Sequence, residues 1–170
     1  MGEISIRLAK PTDAEVVRAI YNYEVLHSAA TFDLVPRTLE AQQQWITERS
    51  GAFGAIVASE LNDEGKEAVV GFGALSPYKE RAAYRTSVEN SVYVHQGHQG
   101  RGIGKILLNE LLSVARLSGF HAVFARISAV GTASLGLHAS CGFQLVGVER
   151  EVGRKFNRWH DVTIMQILLS

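Results

Sequence analysis

The chain has 170 residues, of which 46% are hydrophobic and 20% are charged, a composition typical of a soluble globular protein. Lysine plus arginine and aspartate plus glutamate each number 17, so the formal net charge is zero. This balance argues against a protein that binds nucleic acid or an anionic membrane by charge alone. The single cysteine, Cys141, excludes a disulfide within the chain and the usual cysteine-based structural zinc site.

The N-terminal segment does not resemble a signal peptide, because Glu3, Arg7 and Lys10 interrupt its short apolar runs. No apolar stretch approaches the ~20 residues that are needed to cross a bilayer. We therefore expect a cytoplasmic protein with a single domain over residues 1–170, without a metal site and without a nucleic-acid or membrane partner.

Apolar periodicity predicts the elements of the first half of the chain. Ile4, Ile6 and Leu8 alternate with polar residues and predict a first strand, while Thr12 and Glu15 have the spacing of a capping box at a helix start. In chain order we expect that strand, a helix from about 13 to 27, a helix from a cap at Thr38 to about 49, and two antiparallel strands at 55–59 and 68–75.

The second half is predicted to alternate between strands and helices. A strand at 86–95 with strong alternation leads into a glycine-rich run, and a helix with a broad apolar face then starts near Ile103 and ends at Gly119. The remaining elements are a short buried strand at 122–127, a helix from about 133 to 141, and two final strands near 143–152 and 161–169. This order predicts a mixed α/β fold.

The junction between strand and helix at residues 99–105, with the sequence QGRGIGK, is suited to binding an anion. Glycines allow successive backbone N–H groups to converge on phosphate oxygens, and the helix N-terminus adds its dipole. A P-loop is excluded because Gln99 stands in place of its first glycine and Ile106 in place of Ser or Thr. The dinucleotide fingerprint fails because Lys105 and Leu107 stand where its third glycine falls. A tight connection without a ligand remains the alternative.

Gln99, Gly102 and Gly104 match the QxxGxG pyrophosphate motif, and on this motif the sequence resembles the GNAT superfamily of acyl-CoA N-acyltransferases. The order of predicted elements is that of the family over the whole chain. The segments SVYVHQGHQGRGIGKILL, HASCGF and RWHDVTIMQ are similar to the branch that contains phosphinothricin and methionine sulfone or sulfoximine N-acetyltransferases. The resemblance implies about seven strands and four helices, with strands four and five splayed apart to admit acetyl-CoA as co-substrate.

The resemblance also implies where acetyl-CoA binds. The backbone of the strand before the glycine run would pair with the pantetheine, and the glycine run would hold the pyrophosphate, with Arg101 or Lys105 adding charge. The residues concerned are Val92, Tyr93, Val94, Gly100, Arg101, Gly102, Ile103, Gly104, Lys105 and Gly131. Relatives often carry asparagine at the position of Gly131, so backbone groups or Thr132 would have to replace that amide.

By the same resemblance, Glu89 is the general base and His138 is the acid that serves the departing thiolate. The alternatives are that Glu89 is a surface carboxylate on a strand and that His138 is a packing residue. Cys141 lies three residues after His138 and raises the alternative of an acyl-enzyme. Direct transfer in a ternary complex is favoured, because a cysteine at a helix C-terminus lacks the dipole that lowers a thiol pKa.

The positions that match the acceptor-binding residues of this branch are Phe32, Lys79, Arg81 and Tyr84. They imply a small amino-acid acceptor with an anionic or strongly polar end, such as phosphinothricin, methionine sulfoximine or methionine sulfone, which would be acetylated on its α-amine. These long side chains could instead face water. The alternative functions are acetylation of a protein, peptide or polyamine, and a CoA-binding sensor without turnover. The resemblance further implies a homodimer.

Overall fold

A seven-stranded mixed sheet carries four helices in this computed structural model, which describes residues 2–128 and 130–170. The strands are β1 (Ser5–Leu8), β2 (Ile56–Leu61), β3 (Glu67–Pro77), β4 (Ser87–Val94), β5 (Ala122–Ser128), β6 (Gln144–Lys155) and β7 (Arg158–Leu168). The helices are α1 (Ala14–His27), α2 (Leu39–Thr47), α3 (Ile103–Leu117) and α4 (Thr132–Ser140). The spatial order of the strands is β1-β2-β3-β4-β5-β7-β6. The predicted mixed α/β fold is confirmed.

The helices cover the sheet on both faces because strand side chains alternate between them. On one face the apolar side of α3 packs against Val88 of β4 and Val123 of β5. On the other face α1 packs against Val57 and Phe72. Close approach of α3 to β3 requires glycine, since a Cβ on Gly73 would lie 3.1 Å from the Leu111 side chain and 3.0 Å from a backbone oxygen of β4.

Strands β4 and β5 form the parallel pair at the centre of the sheet, and they separate after three residue pairs. The pairs are Ser87 with Ala122, Val88 with Val123 and Glu89 with Phe124. Beyond Glu89 the two strands diverge, although β4 stays paired with β3 up to Val94 on its other side. The predicted splay between the fourth and fifth strands is therefore confirmed, and it opens a gap in the middle of the sheet.

The start of α1 differs from the expectation. The predicted capping box of Thr12 and Glu15 does not form, and Asp13, which precedes α1, makes no side-chain cap on that helix. The Asp13 carboxylate instead accepts hydrogen bonds from the Lys10 backbone N–H at 2.7 Å and from the Arg7 guanidinium at 2.8 and 2.9 Å. This ion pair, whose two partners are six residues apart, replaces the local cap with a short 3-10 turn at Pro11–Asp13.

The last two strands are longer than predicted because the turn between them is tight. Phe156 and Asn157 both have positive φ, 52° and 58°, and this two-residue turn lets Lys155 pair with Arg158. Such left-handed turns match the twist of a hairpin, but the Phe-Asn sequence lacks the glycine that usually marks them.

The predicted cap of α2 at Thr38 is confirmed, since the Thr38 hydroxyl accepts a hydrogen bond from the Ala41 N–H at 3.1 Å.

Candidate active site

A cavity of about 770 Å³ fills the gap between β4 and β5. Its walls are the second halves of both strands, the loop after α1, the start of α3 and the inner side of α4. Because β4 and β5 no longer pair there, the peptide groups of β4 beyond Glu89 have no ladder partner on β5. An extended ligand could therefore hydrogen-bond to this strand as a neighbouring strand would.

The glycine run forms one end of the cavity. Gly100 and Gly102 have φ values of +76° and +80°, in the left-handed region that favours glycine, and Gly102 is the N-cap of α3. The first N–H groups of a helix have no partner within it and carry the positive end of the helix dipole. Gly102, Gly104 and Lys105 all line the cavity. This end of the cavity has the features of a site for a phosphate or pyrophosphate group.

Glu89 lies on the opposite face of β4 from the α3 core, and its carboxylate faces the cavity. Burial raises the pKa of this carboxyl above its ordinary value, and the nearby positive charge of Arg126 offsets part of that rise. A carboxylate with a raised pKa next to a cavity is a stronger proton acceptor than an exposed glutamate.

His138 is 4% exposed and lies on the inner side of α4, where each of its two ring nitrogens lies close to an oxygen atom. Its Nδ1 is 2.8 Å from the Ser134 carbonyl oxygen, so Nδ1 carries the proton of the neutral ring. Its Nε2 is 3.2 Å from Oδ1 of Asn90, and the Asn90 amide donates from Nδ2 to the Phe124 carbonyl at 3.1 Å. The imidazolium would donate to both oxygens, but burial lowers the pKa of His138.

Asn90 thus bridges the two diverging strands and also faces the histidine. Its amide spans the gap at the first position where the ladder between β4 and β5 is lost. Because the Nδ2 of this amide donates to Phe124, its Oδ1 is the atom that faces His138 Nε2. Glu89, Asn90 and His138 together place a carboxyl group with a raised pKa, a fixed amide and a buried imidazole around one space that ends at the glycine run.

Comparisons with known proteins agree with this geometry. The profile of the acetyltransferase (GNAT) domain matches residues 6–164. The L-amino acid N-acyltransferase MnaT of Escherichia coli strain K12 is 38% identical over 98% of this chain and 95% of that protein. The L-methionine sulfoximine/L-methionine sulfone acetyltransferase of Salmonella typhimurium strain LT2 is 36% identical over the same shares. This chain belongs to the GNAT acetyltransferase family. A solved GNAT phosphinothricin acetyltransferase from Sinorhizobium meliloti, in complex with acetyl-CoA, matches with a TM-score of 0.90 at 33% identity, covering 98% of this chain and 89% of that one.

Most of the residues predicted to hold acetyl-CoA in this GNAT enzyme line the cavity. They are Val92, Tyr93, Val94, Gly100, Gly102, Ile103, Gly104, Lys105 and Gly131. A Cβ at Gly131 would lie 2.8 Å from the Ile127 side chain, so a larger residue such as asparagine does not fit this backbone without a shift. Thr132 is exposed and does not line the cavity. The role of these residues in binding stays a prediction.

Contrary to expectation, Arg101 does not line the cavity, and its charge is paired elsewhere. Its guanidinium makes two hydrogen bonds to the Glu60 carboxylate, at 3.0 and 2.7 Å, and this pairing holds the pKa of Glu60 below its ordinary value. His98 also lies 3.2 Å from Glu60. Because the two partners are 41 residues apart, the local sequence gives no sign of the ion pair. Lys105 is the cation of the glycine run that lines the cavity.

Of the four residues predicted to bind the acceptor, the structure places one at the cavity and three outside it. Phe32 lines the cavity and packs near His160, whose ring centroid is 6.0 Å away. Lys79, Arg81 and Tyr84 are exposed and do not line the cavity. Their segment is held outside by aromatic contacts, because Tyr78 stacks on Phe124 at 4.1 Å, Tyr84 packs edge-on against Tyr78, and the Lys79 ammonium lies 5.0 Å from the Tyr78 ring.

The polar residues of the cavity that were not predicted as site residues include Asn90, Arg126 and Ser128. Arg126 and Ser128 stand in β5, which is otherwise apolar, and Asn90 interrupts the row of Val88, Val92 and Val94 on one face of β4. A polar residue at such a position was the available signal. Cys141, whose position in the sequence raised the alternative of an acyl-enzyme, does not line the cavity, and its Sγ lies 3.9 Å from the Ser140 hydroxyl.

Within residues 2–128 and 130–170, no three His, Cys, Asp or Glu side chains are grouped so as to hold a metal ion. No helix in the same ranges has the length and apolar character needed to cross a membrane.

Proposed function

We propose that this GNAT enzyme uses acetyl-CoA to acetylate the α-amine of a small amino-acid analogue, of the phosphinothricin, methionine sulfoximine or methionine sulfone type, by direct transfer in a ternary complex. The observation that carries the proposal is that the glycine run, Glu89 and His138 all open into one cavity between the splayed strands. The names of the related enzymes from Escherichia coli, Salmonella typhimurium and Sinorhizobium meliloti support the class of acceptor.

Two features of the cavity fit the CoA moiety. The unpaired backbone edge at Val92, Tyr93 and Val94 can hydrogen-bond to the amides of an extended chain. The left-handed glycines and the N-terminus of α3 can hold a pyrophosphate, with Lys105 beside it. Acetyl-CoA bound there supplies the acetyl group as an activated thioester.

The chain's own residues manage the protons. Amine attack requires the acceptor to lose a proton, and the Glu89 carboxylate accepts it, directly or through one water. His138 holds one proton at Nδ1 against the Ser134 carbonyl and can take a second at Nε2. It is thereby placed to supply the proton that the departing sulfur needs. A backbone N–H of β4 would stabilise negative charge that develops on the carbonyl oxygen.

We also propose that the enzyme is a cytoplasmic homodimer. The edge strand β6 has three large apolar side chains that are more than half exposed, namely Leu145, Val146 and Val148. Exposed apolar side chains grouped on an edge strand are typical of a surface that a second copy covers.

A screen for thiol release tests the acceptor class. Purified protein is supplied with acetyl-CoA and, in separate reactions, with phosphinothricin, methionine sulfone, methionine sulfoximine, common amino acids, spermidine and short peptides. We expect kcat/KM to be highest for the amino-acid analogues, and mass spectrometry to place the acetyl group on the α-amine. Glu110→Gln, on the exposed side of α3, serves as a control that retains activity.

Other outcomes of the screen would overturn the proposal. Preference for spermidine or peptides would favour the other acceptor classes. Binding of acetyl-CoA without turnover of any acceptor would favour a CoA-binding sensor.

A further inference from the structure

We infer that Arg126, aided by Ser128, binds the α-carboxylate of the acceptor. This inference rests on the proposed function and deepens it, because it names the contact by which the enzyme recognises a free amino acid. Four observations carry it: the position of Arg126, the other charges around the cavity, its partner Glu149, and the unsatisfied hydroxyl of Ser128.

Arg126 lies on the same face of the sheet as Glu89. Val123 and Ile127 of β5 point into the core beneath α3, so the residues between them in alternation, including Arg126, point to the other face. Glu89 pairs directly with Phe124, two residues before Arg126, and both charged side chains line the cavity. The guanidinium is therefore a near neighbour of the proposed base.

This placement suits the covalent structure of an amino acid. The α-nitrogen and the carboxyl carbon are joined through one carbon atom, so a residue that binds the carboxylate must lie close to the base that takes the proton from the nitrogen. Arg126 meets this requirement. A more distant cation would instead suit the far end of the acceptor, where a phosphinate or sulfone stands.

Arg126 is the cation of the cavity that is available to bind the α-carboxylate. Among the described residues that line it, the lysine and arginine side chains are Lys105 and Arg126. Lys105 belongs to the glycine run at the phosphate end. Lys79 and Arg81, which the sequence suggested for binding an anion, do not line the cavity.

Glu149 of β6 holds the guanidinium without using all of its donors. Nη2 of Arg126 forms an ion pair with Glu149, and the two side chains are 34% and 38% exposed. A guanidinium has five N–H donors in a planar fork, so one carboxylate partner leaves donors for a second. The pair orients the fork before a ligand arrives, which lowers the entropy lost on binding.

Ser128 provides the independent sign of a ligand. It is 6% exposed and lines the cavity, and its hydroxyl has no hydrogen-bond partner among the described residues. A buried hydroxyl without a partner is unfavourable unless a ligand or water satisfies it. Ser128 follows Arg126 by two residues on β5, so it presents a donor to the same region.

Steady-state kinetics with matched acceptors test the inference. Methionine sulfone is compared with its α-carboxamide, which keeps the amine and the distal sulfone but lacks the carboxylate. For Arg126→Gln we expect KM for the free acid to rise at least about tenfold, as for loss of a charged hydrogen bond, while KM for the carboxamide changes less than about threefold. KM for acetyl-CoA should stay within about twofold of the parent value. Ser128→Ala should raise KM for the free acid about threefold.

Two precautions isolate the carboxylate contact. Rates are measured at a pH well above the acid limb of each variant, because loss of the Arg126 charge also affects the protonation of Glu89. Arg116→Gln, on the exposed part of α3, is the matched control and should leave both acceptors unchanged. If Arg126→Gln does not fold, Arg126→Lys replaces it, with an expected rise of about threefold confined to the free acid.

The outcomes separate the two claims. Equal changes for the acid and the carboxamide, or no change for either, would overturn the role of Arg126 while the parent's turnover of amino acids upholds the proposed function. A parent protein that acetylates no amino acid would overturn the proposed function and this inference with it.

Discussion

Glu89 shows how one strand residue acquires the properties of a base from its surroundings. Burial in the cavity raises the pKa of its carboxyl group, and the positive charge of Arg126 lowers it in part. A base of this kind is protonated, and inactive, at a higher pH than an exposed glutamate would be.

Replacement of Glu89 tests this role. Glu89→Gln should lower kcat for methionine sulfone by about 10²- to 10⁴-fold, the usual effect of losing a general base, and should leave the Kd of acetyl-CoA within about twofold. In the parent, kcat/KM should fall as the pH drops through a pKa above that of an ordinary glutamate. Arg126→Gln should move this acid limb to higher pH. A parent profile without an acid limb would contradict the assignment.

His138 should make the stability of the fold sensitive to acid. Burial lowers its pKa below the ordinary value of about 6.5, so between the two values the unfolded chain binds more protons than the native one. The free energy of unfolding therefore falls as the pH drops from about 6.5 through the native pKa. Between pH 7.5 and pH 5.5, the free energy of unfolding of His138→Gln, measured by urea unfolding, should fall by less than that of the parent.

An exposed histidine provides the control for that experiment. His27→Gln, at the end of α1, should keep the dependence of the parent. If His138→Gln and the parent lose the same free energy over this range, His138 is not the residue that couples acid to stability.

At the scale of elements, β6 shapes one wall of the cavity through Gly153. A Cβ at this position would overlap the ring of Phe32, which lines the cavity from the loop after α1. Lys155 of the same strand donates to the Thr31 carbonyl at 2.8 Å and fixes that loop. The strand thus sets the position of an aromatic wall that lies far from it in sequence.

Gly153→Ala should therefore alter recognition of the acceptor. The added methyl displaces the Phe32 ring, so we expect KM for methionine sulfone to rise about tenfold with little change in KM for acetyl-CoA. Gly147→Ala, in the same strand with open space around its Cβ, is the matched control and should behave as the parent. Equal kinetics for the two alanine variants would show that the Phe32 wall does not contact the acceptor.

At the scale of the whole molecule, the exposed apolar side chains of β6 predict self-association. Sedimentation should give a mass near twice the 18.6 kDa of the chain. Val148→Lys places a charge on a side chain that is 52% exposed and should shift the protein to a monomer. Leu117→Lys, on a side chain that is 90% exposed at the end of α3, should leave the dimer intact. A parent that sediments as a monomer at micromolar concentration would refute the dimer.

Much of the fold could be predicted from the sequence because it depends on local patterns. The alternation of β4 has the two-residue period of a strand, and the apolar face of α3 has the period of about 3.6 residues of a helix. The glycine run between them indicates a connection that needs backbone freedom. The resemblance to the GNAT family supplied the splay, which no local pattern encodes.

The remainder depends on contacts between distant residues. Arg101 meets Glu60 across 41 residues, and the segment of Arg81 is held away from the cavity by the stack of Tyr78 on Phe124. Charge and position in the sequence suggested both arginines as ligands for anions, but the partners of a side chain are decided by tertiary packing. The placement of Arg126 beside the cavity follows equally from the pairing of β4 with β5, which the sequence of β5 alone does not reveal.

The divergence of β4 and β5 also makes the stability of the folded chain depend on the concentration of its ligand. Strands that separate inside a sheet leave peptide groups of the native state without strand partners. A molecule that pairs with them in the native state alone adds to the free energy of unfolding, by about 2.7 kcal/mol at one hundred times its Kd. The folded population in a cell would then rise and fall with the acetyl-CoA pool, so that the enzyme is most persistent when its acetyl donor is abundant.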